Sequence, residues 1–218
     1  MTHEFDKEYW EQHWRRGSGD GPGSMGGNPP NPYLARETSG LAPGTALDAG
    51  CGAGAEAIWL ASRGWQVTAV DISAEALARA AQRATASGAS ERLRWIEADA
   101  SVWDPGTRFD LVTTHYAHPA MPQLQFYDRV AGWVASGGTL LIVAHLHTHE
   151  TSGGGQHSHG TGHHPPAEAS ATAAAITARL DETAWQVVTA EETHRTLIGH
   201  GGAEVSLHDV VVRATRRR

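Results

Sequence analysis

Ala46-Leu47-Asp48-Ala49-Gly50-Cys51-Gly52-Ala53-Gly54, answered by Val67-Thr68-Ala69-Val70-Asp71, is the stretch that decides the fold. It reads as a strand, a glycine turn, a helix, a second strand and a closing carboxylate. Glycines let the backbone turn sharply and pass close beneath a bulky ligand. A carboxylate at the end of the second strand can accept hydrogen bonds from a ribose diol. Together these are the parts that hold a nucleoside-bearing cofactor at the C-terminal edge of a parallel sheet.

Working outward, strands and helices alternate. Thr45–Ala49 reads as a strand, Ala53–Arg63 as a helix, Gln66–Val70 as a strand and Ala74–Ser87 as a helix. Arg92–Ile96, Asp110–His115 and Thr139–His145 read as further strands, with a helix over Gln123–Ala135. This alternation predicts βαβ crossovers and a mostly parallel sheet. After a helix over Ala167–Leu180, Trp185–Glu192 and Glu204–Ala214 follow as two strands joined by a short glycine-bearing link, which predicts an antiparallel hairpin. The expected fold class is therefore α/β: a Rossmann-like, doubly wound, seven-stranded sheet, mostly parallel, with a C-terminal antiparallel hairpin. Residues 1–43 form a leader to it: an amphipathic helix over Glu4–Arg16, a Gly/Pro-rich loop from Gly17 to Pro32, and a short helix over Tyr33–Ser39. Residues 44–218 read as one domain.

Composition bounds the alternatives. The chain has 218 residues, 40% of them hydrophobic, enough for a substantial single core. Its longest apolar run, Thr139 to Leu146, is too short to span a bilayer, and its first residues lack a signal-peptide core, so no membrane partner is expected. Cys51 is the only cysteine, which excludes an intrachain disulfide and suits a reducing cytoplasm. A formal charge of −7 argues against a dedicated nucleic-acid binder, and the basic tail Arg213-Ala214-Thr215-Arg216-Arg217-Arg218 reads as a solvated chain end. A monomer or homodimer is expected.

Gly50-Cys51-Gly52-Ala53-Gly54-Ala55 also satisfies G-x-G-x-x-G/A, the dinucleotide fingerprint, so an NAD(P)-dependent oxidoreductase is a rival reading. Three details oppose it. Asp48, two residues before the first glycine, would repel a diphosphate but suits a cofactor carrying an ammonium and a sulfonium. Gly54 adds a third closely spaced glycine. Trp95-Ile96-Glu97-Ala98-Asp99-Ala100 places another acid just past the third strand, where it can accept from an adenine amino group.

Leu47-Asp48-Ala49-Gly50-Cys51-Gly52-Ala53-Gly54, Val70-Asp71-Ile72-Ser73 and Glu97-Ala98-Asp99 together resemble the class I S-adenosylmethionine-dependent methyltransferases. The resemblance runs from about Gly44 to the C-terminus. It implies S-adenosyl-L-methionine as cofactor, with Asp48, Gly50, Cys51 and Gly52 facing its methionine portion. It further implies Asp71 on the ribose hydroxyls, Ile72 on the adenine face, and Asp99 with the Ala100 backbone N–H on the adenine edge. Thr114, near the end of the fourth strand, joins this set. For Asp71 and Asp99 the competing role is a solvated strand-end carboxylate or a helix cap. Gly64-Trp65-Gln66-Val67-Thr68-Ala69-Val70-Asp71 and Ile58-Trp59-Leu60-Ala61 are similar in wording to the tellurite-resistance and thiopurine/thiol methyltransferases, which implies a small-molecule acceptor.

Methyl transfer is an in-line displacement, so the protein must mainly align the acceptor and exclude water. The acceptor side belongs at Thr114-His115-Tyr116-Ala117-His118-Pro119. There His115 or His118 can take a proton from an oxygen, nitrogen or thiol acceptor, and Tyr116 can orient it. Against this, His118 also reads as a loop residue beside a helix-starting proline. The segment departs from the Asn-Pro-Pro-Tyr-type motif of adenine and glutamine N-methyltransferases. The leading helix, with Tyr9, Trp10, His13 and Trp14, resembles a lid over the pocket.

Fourteen histidines stand out, seven of them between His145 and His164. His145, His147 and His149 alternate, so on an extended strand they share a face and form a candidate site for a divalent metal such as Zn²⁺ or Ni²⁺. The plainer reading of the loop over residues 145–166 is a low-complexity insertion. A metal- or metalloid-binding detoxification protein on the same scaffold is the corresponding alternative function.

Overall fold

The computed structural model describes residues 5–16, 29–146, 170–198 and 204–218. Among them, seven strands form one sheet: β1 (Thr45–Ala49), β2 (Gln66–Asp71), β3 (Leu93–Glu97), β4 (Phe109–His115), β5 (Val134–His145), β6 (Trp185–Ile198) and β7 (Glu204–Arg216). Six helices accompany them: α1 (Lys7–Arg16), α2 (Pro32–Thr38), α3 (Ala55–Ser62), α4 (Ala74–Ser87), α5 (Gln123–Gly132) and α6 (Ala173–Thr177). The strand order is β3-β2-β1-β4-β5-β7-β6, parallel through β5, with β7 antiparallel to both β5 and β6. The expected seven-stranded, mostly parallel sheet with a C-terminal antiparallel pair is present.

Both faces of the central strands are apolar, as a sheet covered by helices on each side requires. Leu47, Val112, Leu140, Ile142, Val210 and Val212 turn one way, into a core closed by Phe126 and Val130 of α5 and Ile176 of α6. Ala46, Val67, Leu111, Leu141, Val143 and Val211 turn the other way, against Leu34 of α2 and Ala57 and Leu60 of α3. The β4–β5 register pairs Val112 with Leu140 and Thr113 with Leu141, so alternation is conserved across the sheet and a one-residue slip would expose both cores.

Element ends differ from expectation for local reasons. α3 starts at Ala55 rather than Ala53 because Gly54 stands before it with φ +74, outside the helical region. α5 stops at Gly132 and the chain enters β5 at once, at Val134. Ser136-Gly137-Gly138, between the expected helix and strand, lies inside this strand, where Gly137 takes φ +77 and the pairing with β4 shifts register. The last two strands run longer than expected, to Ile198 rather than Glu192 and to Arg216 rather than Ala214. α6 spans only Ala173–Thr177 of the expected Ala167–Leu180, of which 167–169 lie outside the described residues. The Gly/Pro-rich stretch 17–28 and the link 199–203 lie outside them too.

The topology locates the site. From β1 the chain builds outward through β2 to β3, then crosses back to lay β4 on the other side of β1. Loops leaving β1 and β4 therefore diverge at the C-terminal edge and open the crevice where such sheets bind ligands.

Candidate active site

The glycine turn occupies that crevice. Gly50 and Cys51 both donate backbone N–H bonds to the Val70 carbonyl, at 2.9 and 3.0 Å, which ties the turn to the end of β2. Gly50, Gly52 and Gly54 all have φ between +51 and +77. A Cβ on Gly50 would lie 2.4 Å from Ala117 Cβ in the loop after β4, so the two sides of the crevice meet across a missing side chain. A Cβ on Gly54 would strike the Trp95 ring at 2.6 Å, so this glycine serves the packing of the turn on β3.

Three carboxylates surround the turn. Asp71 accepts from the Gly52 N–H at 2.8 Å through one oxygen and from the Ser73 N–H at 2.9 Å through the other. It is not the cap of α4: Ser73 is, its hydroxyl accepting from the Ala76 N–H. Burial raises the Asp71 carboxyl above its usual range, against the pull of those N–H donors. Asp48 is buried, and its Oδ2 has no hydrogen-bond partner. Desolvation first, then the negative charges of Glu56 and Asp71, push it well up, opposed by the Ala57 N–H. Asp99 accepts from the Ser101 N–H at 2.8 Å, next to Ala100, just past the end of β3, the strand flanking β2. Ile72 is half-buried between them. Cys51 is buried, and burial pushes its thiol up, which leaves it un-ionised and poor as a nucleophile. The Thr114 hydroxyl donates to the Ala49 carbonyl at 2.8 Å and so joins β4 to β1 just beneath the turn.

This donor set fits S-adenosylmethionine. A buried carboxylate oxygen without a donor calls for a cation such as an ammonium, and would be repelled by a phosphate. Each Asp71 oxygen keeps lone-pair capacity for a diol beyond its one backbone bond.

Beyond the turn, a row of polar side chains crosses the edge of the sheet on the α2–α3 side. His115 is buried, with Nδ1 3.3 Å from Thr113 Oγ1 and Nε2 unpartnered; burial holds its imidazole below the ordinary value, opposed by the charge of Glu56. Tyr116 has φ +53, the one positive value among the described non-glycine residues. Its hydroxyl accepts from Asn31 Nδ2 at 2.9 Å and Arg195 at 3.0 Å and donates to Asp209 Oδ1 at 3.2 Å. Asp209 is fully buried and also pairs with the Nε of Arg195 and with His145 Nδ1, at 3.0 Å in the latter case. Burial alone would raise Asp209, but the bonds to His145 and Arg195 hold it below its usual value. His118 stands apart from this row. Its ring stacks on Phe5, and its carbonyl accepts from Trp10 Nε1, so it packs beneath α1.

α1 covers the turn. Trp14 is buried with Ala53 and Ala76, and a Cβ on Gly52 would reach its ring at 2.9 Å. Glu11 accepts from the Ala74 N–H at 2.7 Å at the start of α4, and Lys7 pairs with Glu97.

The fold and the turn invite comparison with known proteins. A family profile described as a methyltransferase domain matches residues 46–138, from β1 into β5. Over that span the chain is similar to methyltransferase domains. The probable thiol methyltransferase 2 of Arabidopsis thaliana is 31% identical to it over 105 residues, covering 47% of this chain and 45% of that protein. The structure reported for conversion of a disulfide bond into a thioacetal group during echinomycin biosynthesis superposes with a TM-score of 0.69 at 22% identity, over 97% of this chain and 91% of that one. TehB from Haemophilus influenzae superposes at 0.66 and 13% identity, over 97% and 67%. The chain spans less than half the length of the curated relatives it matches. Outside the profile's span, β7 and β6 complete the seven-stranded sheet.

The site also holds residues that the sequence did not single out: Glu11, Asn31, Glu56, Arg195 and Asp209. Asn31 carried a readable signal, an Asn directly before Pro32 at a helix start, and it caps α2 by accepting from the Tyr33 N–H. Asp209 carried another, an acid opening the apolar run Val210-Val211-Val212. Of the metal candidates, His145 lies on Asp209, while His147 and His149 fall outside the described residues. Among the described residues no group of three or more metal-ligating side chains is gathered, and no helix is long and apolar enough to cross a membrane.

Proposed function

We propose that this protein transfers the methyl group of S-adenosylmethionine to a small-molecule acceptor. The observation that carries the reading is Asp48 Oδ2, a buried carboxylate atom lacking a donor, set beside the glycine turn at the switch point. Asp48, Gly50 and Gly52 bind the methionine end, Asp71 the ribose, and Ile72, Asp99 and the Ala100 N–H the adenine. When bound, the cofactor supplies an electrophilic methyl on a sulfonium. The chain's own part is to orient, to shield and to manage charge. α1, through Trp14 and Glu11, covers the turn and keeps water out. The row from His115 to Asp209 lines the acceptor's approach. The small-molecule class is supported by likeness to a thiol methyltransferase and by the tight cover of α1 over the crevice. A cytoplasmic setting goes with the single reduced cysteine.

The test is formation of S-adenosylhomocysteine across thiols, phenols, carboxylates, amines and metalloid oxyanions, with and without Zn²⁺ or Ni²⁺. Asp71→Ala removes the diol acceptor and releases the Gly52 N–H. It is expected to weaken cofactor binding at least about tenfold, since hydrogen bonds to charged groups contribute roughly 1.5–3 kcal/mol. Unchanged affinity by calorimetry would sink the site assignment.

A further inference from the structure

Two buried polar atoms without a hydrogen-bond partner, Asp48 Oδ2 and His115 Nε2, lie on one face of the sheet. Asp48 is level with Thr113 in the β1–β4 register, and His115 follows two residues later on β4. All three side chains therefore leave the sheet on the side covered by α2 and α3. Buried atoms of this kind cost free energy until something meets them. We propose that Asp48, Glu56 and His115 form a three-acceptor seat for the ammonium of the cofactor's methionine end, so that His115 serves the donor and is not a base for the acceptor. This rests on the methyl-transfer reading above and adds Glu56 and His115 to its cofactor site.

Glu56, the second residue of α3, joins the two orphaned atoms electrostatically. Burial and then the Glu56 charge push the Asp48 carboxyl up; burial lowers the His115 imidazole, and the Glu56 charge opposes that. Backbone N–H groups hold both acids in place. Glu56 Oε1 accepts from the Asn31 N–H at 2.9 Å, and Asp48 accepts from the Ala57 N–H. Each carboxylate keeps lone-pair capacity beyond that one bond. His115 Nδ1 lies 3.3 Å from the Thr113 hydroxyl, which can either accept from the ring or donate to it, so the ring's tautomer is set by what meets Nε2. With the proton on Nδ1, Nε2 presents a lone pair. Burial favours the neutral ring that has one to present.

The methionine end carries an ammonium and a carboxylate, and charge decides which of them this place takes. An ammonium has three N–H donors and no acceptor, so three acceptors answer it. The charges acting on Asp48 come from Glu56 and Asp71, and the charge acting on His115 comes from Glu56; all are negative. A carboxylate here would be repelled. The guanidinium of Arg195 is engaged elsewhere, on Asp209 and Tyr116 at the other end of the polar row. A base role suits His115 less well. The proton it took would leave a buried imidazolium with no carboxylate hydrogen-bonded to it.

Calorimetry with three ligands tests this: S-adenosylhomocysteine, its analogue lacking the amino group, and its analogue lacking the carboxylate. His115→Leu and Glu56→Gln should each weaken S-adenosylhomocysteine binding about tenfold, the size of one hydrogen bond to a charged group, and leave the affinity for the amino-lacking analogue unchanged. Glu56→Gln keeps an oxygen for the Asn31 N–H, so it reads the charge with the local fold intact. Equal losses on both ligands would mean a structural role and overturn the proposal. So would a His115→Leu loss that disappears with the carboxylate-lacking analogue. In the S-adenosylhomocysteine complex, ¹⁵N NMR should show a neutral His115 with its proton on Nδ1; a proton on Nε2 overturns the proposal as well. Wild-type protein that bound none of the three ligands would count against methyl transfer itself, whereas the contrast between analogues decides the ammonium seat alone.

Discussion

Asp48, proposed to meet the cofactor's ammonium, costs its own fold. Its folded-state value is raised above the unfolded one of about 3.9, so between the two the native protein holds the extra proton. Stability therefore falls as pH rises from about 4 through the raised value, and at neutral pH Asp48 is a net cost. An ammonium beside it favours the ionised form, so cofactor affinity should strengthen as pH rises over the same window. Asp48→Asn is expected to stabilise the cofactor-free protein at pH 7, by on the order of 1 kcal/mol in urea denaturation, as relief of a buried unpartnered group. The same change should weaken cofactor binding and flatten its pH dependence in calorimetry. A variant that lost stability and kept the pH dependence would place the ammonium elsewhere. Asp209 has the opposite design, because His145 and Arg195 are already present to meet its charge.

Among the elements, α1 and α2 do what neither strand nor turn can do alone. α1 contributes Trp14 to the glycine turn and Glu11 to the start of α4. α2 is held by Asn31, whose backbone N–H donates to Glu56 at 2.9 Å while its side chain reaches Tyr116. The leader thus touches both the cofactor helix and the acceptor row. If α1 is the cover, Trp14→Ala should speed S-adenosylhomocysteine release about tenfold or more in stopped-flow measurements, because the ring's contact with the turn is lost. An unchanged release rate would make α1 mere packing. The helix was readable from the spacing of Phe5, Tyr9, Trp10 and Trp14; its partners were not. Gly52 and Ala76 carry nothing that marks them as a surface for a tryptophan.

For the molecule as a whole, cofactor binding and folding are linked, since the crevice exists only when β1 and β4 are paired. S-adenosylhomocysteine at a hundred times its dissociation constant should add about 2.7 kcal/mol to unfolding. For a chain of this length that is roughly 5–10 °C in Tm, read in a thermal scan. NADH at the same concentration should give no shift, and a shift with NADH alone would revive the oxidoreductase reading.

Most of the fold was legible because its signals are local. Two-faced apolar strands, positive-φ glycines and the capping Ser73 each act within a few residues, and their order alone implies a parallel sheet with a switch point. The places of Asp48, Asp71 and Asp99, proposed to meet the cofactor, were legible for the same reason, each lying at or just past a strand end. On the proposed acceptor side only Tyr116 was read from the sequence, and its partners were not. Asn31, Tyr116, His145, Arg195 and Asp209 come from five separate segments, joined through α2 and the pairing of β4, β5, β7 and β6. Which histidine meets a carboxylate depends on strand register between β5 and β7, a long-range pairing that no local pattern encodes. The sequence alone thus determined the sheet order and the glycine turn proposed to cradle the donor, and the tertiary structure decided which side chains are joined in the polar row beside it, because that joining rests on long-range strand pairing.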